Sequence, residues 1–181
     1  MLKVSIIVPT YNSEKYIKNL CNSIKNQTFQ NFEVIIVDNS SSDNTVQKLR
    51  QINIGDKRFK YFNITNNGVI AKSRNLGIKK SSGQYLAFHD SDDFWFKDKL
   101  QIMISYLKNF DFAYHRLKQS DKNNFFNNRK LYSYQLSNYK NKAFIDIMTK
   151  GNPIDTSSVV CKKELFKDIT FNENKKFITV E

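Results

Sequence analysis

Apolar residues recur over the first hundred positions in two alternating patterns. Residues 3–9 form a largely β-branched, uninterrupted run, the mark of a strand buried on both faces, and Pro9 stops it. Tyr16, Ile17, Leu20, Cys21 and Ile24 then return at helical spacing on one face, with Asn12 or Ser13 placed to cap that helix. Residues 32–37 predict a second buried strand, and Ser42, Asp43 and Asn44 offer caps for a helix carrying Val46 and Leu49. Residues 59–64 predict a short third strand, 69–80 a helix with Ala71, Leu76 and Ile78, and 85–88 a fourth strand. Leu100, Met103, Ile104 and Leu107 mark a further helix. Strand and helix alternating in this way predict an α/β fold around a largely parallel sheet.

After residue 110 the pattern loosens. Residues 112–117 predict a strand, 120–128 a polar loop rich in Asn and Lys, and Phe144, Ile145 and Met148 a short helix behind Tyr132, Tyr134, Leu136 and Tyr139. A turn at 151–153, a strand at 156–161 and a helical turn at 163–167 follow, and there is no internal repeat. The length of 181 residues suits a single domain, 1–181, with a regular half at 1–110 and a less regular half at 111–181.

Composition narrows the function. An apolar content of 40% with 15 Phe excludes a disordered chain. Two cysteines are too few for a disulfide scaffold, and no apolar run reaches the length of a membrane span. The start lacks the apolar stretch of a signal peptide, so the expected location is the cytoplasm. The net charge of +12 comes from 24 Lys but only five well-separated Arg, against 17 acidic residues. A nucleic-acid binder would cluster arginines and aromatics on one surface, so no nucleic-acid partner is expected. An anionic small molecule, or an anionic membrane face met peripherally, is the expected use of whatever charge is functional.

In a parallel sheet ligands sit beyond the carboxyl ends of the strands. Three polar clusters fall there: Thr10-Tyr11-Asn12, Asp38-Asn39-Ser40-Ser41-Ser42-Asp43, and Asp90-Ser91-Asp92-Asp93. The last sets three carboxylates within four residues, and their mutual repulsion raises pKa values unless a cation offsets it. Oxygen ligands of this kind suit Mg²⁺ or Mn²⁺, completed by substrate phosphate and water. The structural alternative is an acidic turn in which Asp93 caps the next helix. His89 and His115 lack the partner spacing of a zinc site and read as packed strand residues.

These residues also resemble a known family. Val4-Ser5-Ile6-Ile7-Val8-Pro9-Thr10-Tyr11-Asn12, Gln27-Thr28-Phe29 with Glu33-Val34-Ile35-Ile36-Val37-Asp38-Asn39-Ser40-Ser41-Ser42-Asp43, Asn67-Gly68-Val69 with Ala71-Lys72-Ser73-Arg74-Asn75-Leu76-Gly77, and Gly83-Gln84-Tyr85-Leu86 leading to Asp90-Ser91-Asp92-Asp93 occur in order over 4–100. Together they resemble the inverting family-two glycosyltransferases of bacteria, which have the GT-A fold, a Rossmann-like, mainly parallel sheet flanked by helices. The resemblance implies transfer of a sugar from a UDP- or dTDP-sugar to a glycan or lipid-linked acceptor in cell-surface polysaccharide synthesis.

The roles it implies are specific. Pro9, Thr10, Tyr11 and Asn12 line the base pocket, Tyr11 by stacking, and Asp38 and Asn39 hydrogen-bond the base and hold the loop. Lys72 and Arg74 lie near the diphosphate, Asp90 and Ser91 face the ribose or donor sugar, and Asp92 ligates Mn²⁺ or Mg²⁺. Each also has a plain structural reading: Pro9 as a strand end, Asn12 as a cap, Arg74 as a surface helix residue. Asn152 with 155–160, and 171–181, resemble the approach to the family's acceptor site and Glu-Asp motif more loosely. There Glu181 corresponds to the residue beside the general base, and relatives continue with an Asp, so the resemblance implies an acceptor half that is incomplete. The rival readings are a truncated remnant that binds nucleotide only, and a nucleotidyltransferase, whose glycine- and arginine-rich loop is here Thr10-Tyr11-Asn12-Ser13.

Overall fold

In the computed structural model, which describes residues 3–115 and 154–175, every residue of β1 (Val4–Thr10) and β2 (Phe32–Asp38) is buried. Continuous burial is what unbroken apolar runs require when both faces of a strand are covered. β1 pairs in parallel with β2 on one side and with β4 (Tyr85–Phe88) on the other, and β3 (Phe59–Asn63) extends the sheet from β2. Two short antiparallel strands finish the other edge, β6 (Val160–Lys162) against β4 and β5 (Phe112–Ala113) against β6. The order among the described residues is β3-β2-β1-β4-β6-β5.

Side chains alternate across the sheet and build two cores. Val4, Ile6 and Val8 of β1 pack with Leu20 and Ile24 of α1 (Ile17–Lys25), Leu49 of α2 (Thr45–Ile52) and Leu100 and Met103 of α4 (Lys99–Tyr106). Ile7 faces the other way, with Leu86, Phe88, Cys161 and Ile78 of α3 (Ile70–Lys80). The period of two along β1 thus selects which helix meets which residue. No helix of the described residues is long and apolar enough to cross a membrane.

Four local expectations are corrected. β1 runs through Pro9 to Thr10 rather than stopping at the proline. The Ile7 carbonyl accepts from His89 on the β4 side, so alternate residues, Pro9 included, direct their nitrogen toward β4. Pairing with β4 ends at Ile7↔Phe88, so the missing N–H of Pro9 costs no ladder bond. α1 takes no side-chain cap from Asn12 or Ser13, which serve the neighbouring loops instead. Residues 156–161 are not one strand: Thr156–Ser158 is a 3₁₀ turn and only Val160–Lys162 is extended. The predicted strand at 112–117 is confined, among the described residues, to Phe112–Ala113. The expectations for 120–153 and 176–181 lie outside the described residues.

At the amino end of the sheet, Glu33 is buried and accepts hydrogen bonds from Ser5 Oγ (2.6 Å), Lys60 Nζ (2.7 Å) and the Ser82 amide (2.6 Å). Burial alone would raise its pKa, but the bonds from Lys60, Ser5 and Ser82 hold it well below the usual carboxylate range. Ser5 Oγ also accepts from the Gly83 amide (2.8 Å), which seats the α3–β4 turn on β1.

Candidate functional site at the carboxyl edge of the sheet

The parallel register aligns the ends of β1 and β2 with Thr10 opposite Asp38. The Asp38 carboxylate is buried and accepts from Thr10 Oγ1 (2.9 Å), the Ser41 amide (2.8 Å) and Ser41 Oγ (2.6 Å). It therefore bends the β2 loop back onto the end of β1. Asn12 completes the link: its Oδ1 accepts from the Ser42 amide (2.9 Å), and its own amide donates to Ser41 Oγ (2.9 Å). Asn12 (φ 45°) and Ser40 (φ 50°) both take the left-handed conformation, so the two loops turn sharply where they meet. Tyr11 stands out from this junction with 59% of its surface exposed. Asn39 Oδ1 accepts from the Asn66 amide (2.8 Å), which brings the β3–α3 loop to the same edge.

The third cluster follows β4. Its first carboxylate, Asp90, meets Arg74 Nη2 at 3.1 Å, and that guanidinium is buried and lies 5.5 Å from the Phe171 ring centroid. Arg74 therefore bridges α3, the acidic loop and the later chain, rather than lying on the surface. Ser91 Oγ is 2.7 Å from Ser13 Oγ, and the Ser13 amide donates to Thr45 Oγ1 at 2.7 Å. One serine thus fastens the acidic loop to the β1 loop and to the start of α2.

Asp92 is exposed, and no described side chain bonds to it. Asp93 is not a helix cap, because Asp98 is the residue that precedes α4; burial pushes the Asp93 carboxyl up, Ser157 partly offsets this, and the charges of Asp90 and Asp92 push it further up. The like-charge repulsion anticipated from the sequence is realised at that residue. His89 is fully buried, stacked on Trp95 at 4.2 Å, and held neutral, with burial first and Lys99 second lowering its pKa to about 3. It is a packed residue as expected, but it sits just past the end of β4 rather than within the strand.

The described residues contain no group of three or more His, Cys, Asp or Glu placed to hold a metal. A cage of that kind is not what Mg²⁺ or Mn²⁺ needs in a phosphate site, where one or two carboxylates share the ion with substrate phosphate oxygens. An exposed Asp92 beside Asp90, with no described hydrogen bond or ion pair and the Lys15 charge acting on it, fits that arrangement.

Thr10, Asn12, Asp38, Asn39, Asp90, Ser91 and Arg74 are held on this edge by these contacts, with Tyr11 exposed between Thr10 and Asn12, Pro9 buried in β1 and Asp92 exposed. Lys72, half-buried on the first turn of α3, is tied to the cluster by no described contact. Glu181 lies outside the described residues. Sequence reasoning missed Ser13, Ser41, Asn66 and Ser157. Ser41 alone had a local signal, since a serine three residues after an aspartate commonly returns to its side chain.

A family model described as "Glycosyl transferase family 2" matches residues 5–170. An uncharacterized glycosyltransferase of Rickettsia bellii is 36% identical over 174 residues, covering 95% of this chain and 24% of that protein. The Escherichia coli UDP-Glc:alpha-D-GlcNAc-diphosphoundecaprenol beta-1,3-glucosyltransferase WfgD is 38% identical over 113 residues, 61% of this chain and 44% of its own length. The crystal structure of S. aureus TarS 1–349 in complex with UDP superposes with a TM-score of 0.73 at 30% identity, covering 95% of this chain and 51% of that one. The chain thus spans between a quarter and a half of these relatives.

Proposed function

Since the chain belongs to glycosyl transferase family 2 and has its GT-A fold, we propose that the carboxyl edge of its sheet binds a nucleoside-diphosphate sugar. On this reading the protein transfers the sugar, with inversion, to a glycan or lipid-linked acceptor in cell-surface polysaccharide synthesis. The supporting observation is the convergence of three loops on one edge, with an exposed aromatic, Tyr11, and an exposed carboxylate, Asp92, on two of them. The UDP bound to S. aureus TarS and the UDP-glucose and lipid-linked acceptor named for WfgD support the same substrate classes.

Each residue has chemistry suited to its role. The exposed face of Tyr11 offers a stacking surface for a base. Asn39 keeps a lone pair on Oδ1 beyond the Asn66 bond and has an amide NH₂ to donate. That pair complements an imide N–H beside a carbonyl, the edge that uracil and thymine share, so the donor is a UDP- or dTDP-sugar. Asp38 acts behind the base by fixing the loop, and Arg74 orients Asp90 toward the ribose or sugar. Lys72 adds positive charge on the adjacent helix. A divalent cation, Mn²⁺ or Mg²⁺, held by Asp92 and phosphate oxygens would supply charge opposite the departing diphosphate. On the acceptor side, a carboxylate takes the proton of the attacking hydroxyl, and a single displacement at the anomeric carbon inverts it. The +12 charge supports a peripheral encounter with an anionic membrane face, where lipid-linked acceptors reside.

Isothermal titration with UDP, with and without Mn²⁺, tests the assignment. Wild type is expected to bind more tightly with Mn²⁺, and Asp92→Ala to lose that gain while keeping metal-free binding. Equal Mn²⁺-dependent binding by both proteins overturns the role of Asp92, and binding of neither UDP nor dTDP, titrated in the same way, overturns the donor site.

A further inference from the structure

Ser157 sits in the 3₁₀ turn Thr156–Ser158, more than sixty residues after the acidic loop, and is 1% exposed. Its Oγ accepts from the Asp90 amide at 2.8 Å. The Ser157 carbonyl accepts from Trp95 Nε1 at 3.2 Å and from Lys99 Nζ. Lys99 in turn lies 3.7 Å from the Trp95 ring centroid. One buried residue therefore grips the acidic loop on both sides of Asp92, at Asp90 through its hydroxyl and at Trp95 through its carbonyl. Between those grips lie Ser91 to Phe94, with Ser91 held by Ser13 (2.7 Å) and Asp92 exposed.

We propose that Ser157 is a positioning residue for the divalent cation: by clamping the loop on both sides of Asp92, it holds that carboxylate outward in the geometry that binds the ion. The proposal rests on the reading of Asp92 as the metal ligand. It goes beyond that reading by assigning a residue of the later, acceptor-side segment to the donor's metal site. The neighbouring Ser158 supplies the contrast. It is equally buried, but its Oγ donates to Asp155 O at 2.6 Å, within its own turn, and makes no described hydrogen bond to the acidic loop. Partners that orient a metal ligand from behind typically contribute about 10- to 100-fold to metal affinity.

The test compares wild type with Ser157→Ala and Ser158→Ala, using Mn²⁺ electron paramagnetic resonance with UDP present and UDP titrations with and without Mn²⁺. Ser157→Ala is expected to weaken Mn²⁺ binding by at least about tenfold while metal-free UDP affinity stays within about twofold. Ser158→Ala is expected to leave both within about twofold, since it touches only its own turn. If Ser157→Ala does not fold, the near-isosteric Ser157→Cys, a poor hydrogen-bonding group, replaces it with the same expected outcomes. Mn²⁺ affinity unchanged in the folded Ser157 variant, or reduced to the same degree by Ser158→Ala, overturns the positioning role and leaves the donor-site reading intact. Wild type showing no Mn²⁺-dependent gain overturns the reading and the proposal together.

Discussion

Asp38 shows how much of one residue's role lies outside its own neighbourhood. An aspartate at the end of a buried strand was legible as a site residue, and its bond to Ser41 is local enough to anticipate. Its bond to Thr10 spans 28 residues and exists because β1 and β2 end in register. With three donors on one buried carboxylate, Asp38 serves chiefly to fold the loop that presents Asn39. Asp38→Ala leaves the Thr10 hydroxyl and the Ser41 amide without their acceptor, and each buried unsatisfied group costs about 1–3 kcal/mol. The expected result in urea denaturation is a loss of at least about 1 kcal/mol together with weaker UDP binding, and Asp38→Asn should lose less. A stable Asp38→Ala protein with normal UDP affinity contradicts this role. Arg74 was legible by type as well, but its burial against Asp90 and Phe171 was not, because neither partner is near it in the chain.

Elements were legible where burial is periodic. β1, β2, β3, β4 and α3 fall within a residue or so of the boundaries that the apolar runs predict. Besides the shortened strand at 112–117, the misread element was 156–161, where a β-branched run hid two buried serines whose hydroxyls bond elsewhere and favour a turn over a ladder. Gly83 marks a second limit, since a glycine before a strand reads only as a turn. The structure shows why no side chain fits: a Cβ there would lie 2.7 Å from both the Lys3 carbonyl oxygen and the Ser5 amide nitrogen. Backbone atoms cannot step aside as a side chain does. Gly83→Ala is therefore expected to destabilise the fold by about 1–3 kcal/mol, outweighing the smaller gain from a stiffer unfolded chain. Thermal unfolding checks this, and an unchanged or raised midpoint would show that β1 and the α3–β4 turn can move apart.

At the scale of the whole molecule, two buried groups give stability a common dependence on acid. His89 has a folded pKa of about 3 against an ordinary 6.5, so between those values the unfolded chain binds a proton that the folded chain does not. Its contribution is complete above pH 6.5 and is lost as pH falls toward 3. Glu33, held below its ordinary 4.5, adds stability above that pH and loses it on further acidification. Urea midpoints measured from pH 7 downward should fall from about pH 6.5, and His89→Gln should flatten the slope above about pH 4.5 even if its absolute stability is lower. An unchanged slope in that variant excludes His89 as its source. By itself the sequence determined the α/β class, the order of strands and helices and the three polar clusters at strand ends, because period, β-branching and turn chemistry act over a few residues. Only the tertiary structure decided which groups are already engaged and which are left for a ligand. Asp38 and Arg74 are engaged within the protein, whereas Tyr11 and Asp92 stand exposed at the rim. Hydrogen bonds spanning 28 to 78 residues make that distinction, and they form only once the sheet has brought the strand ends together.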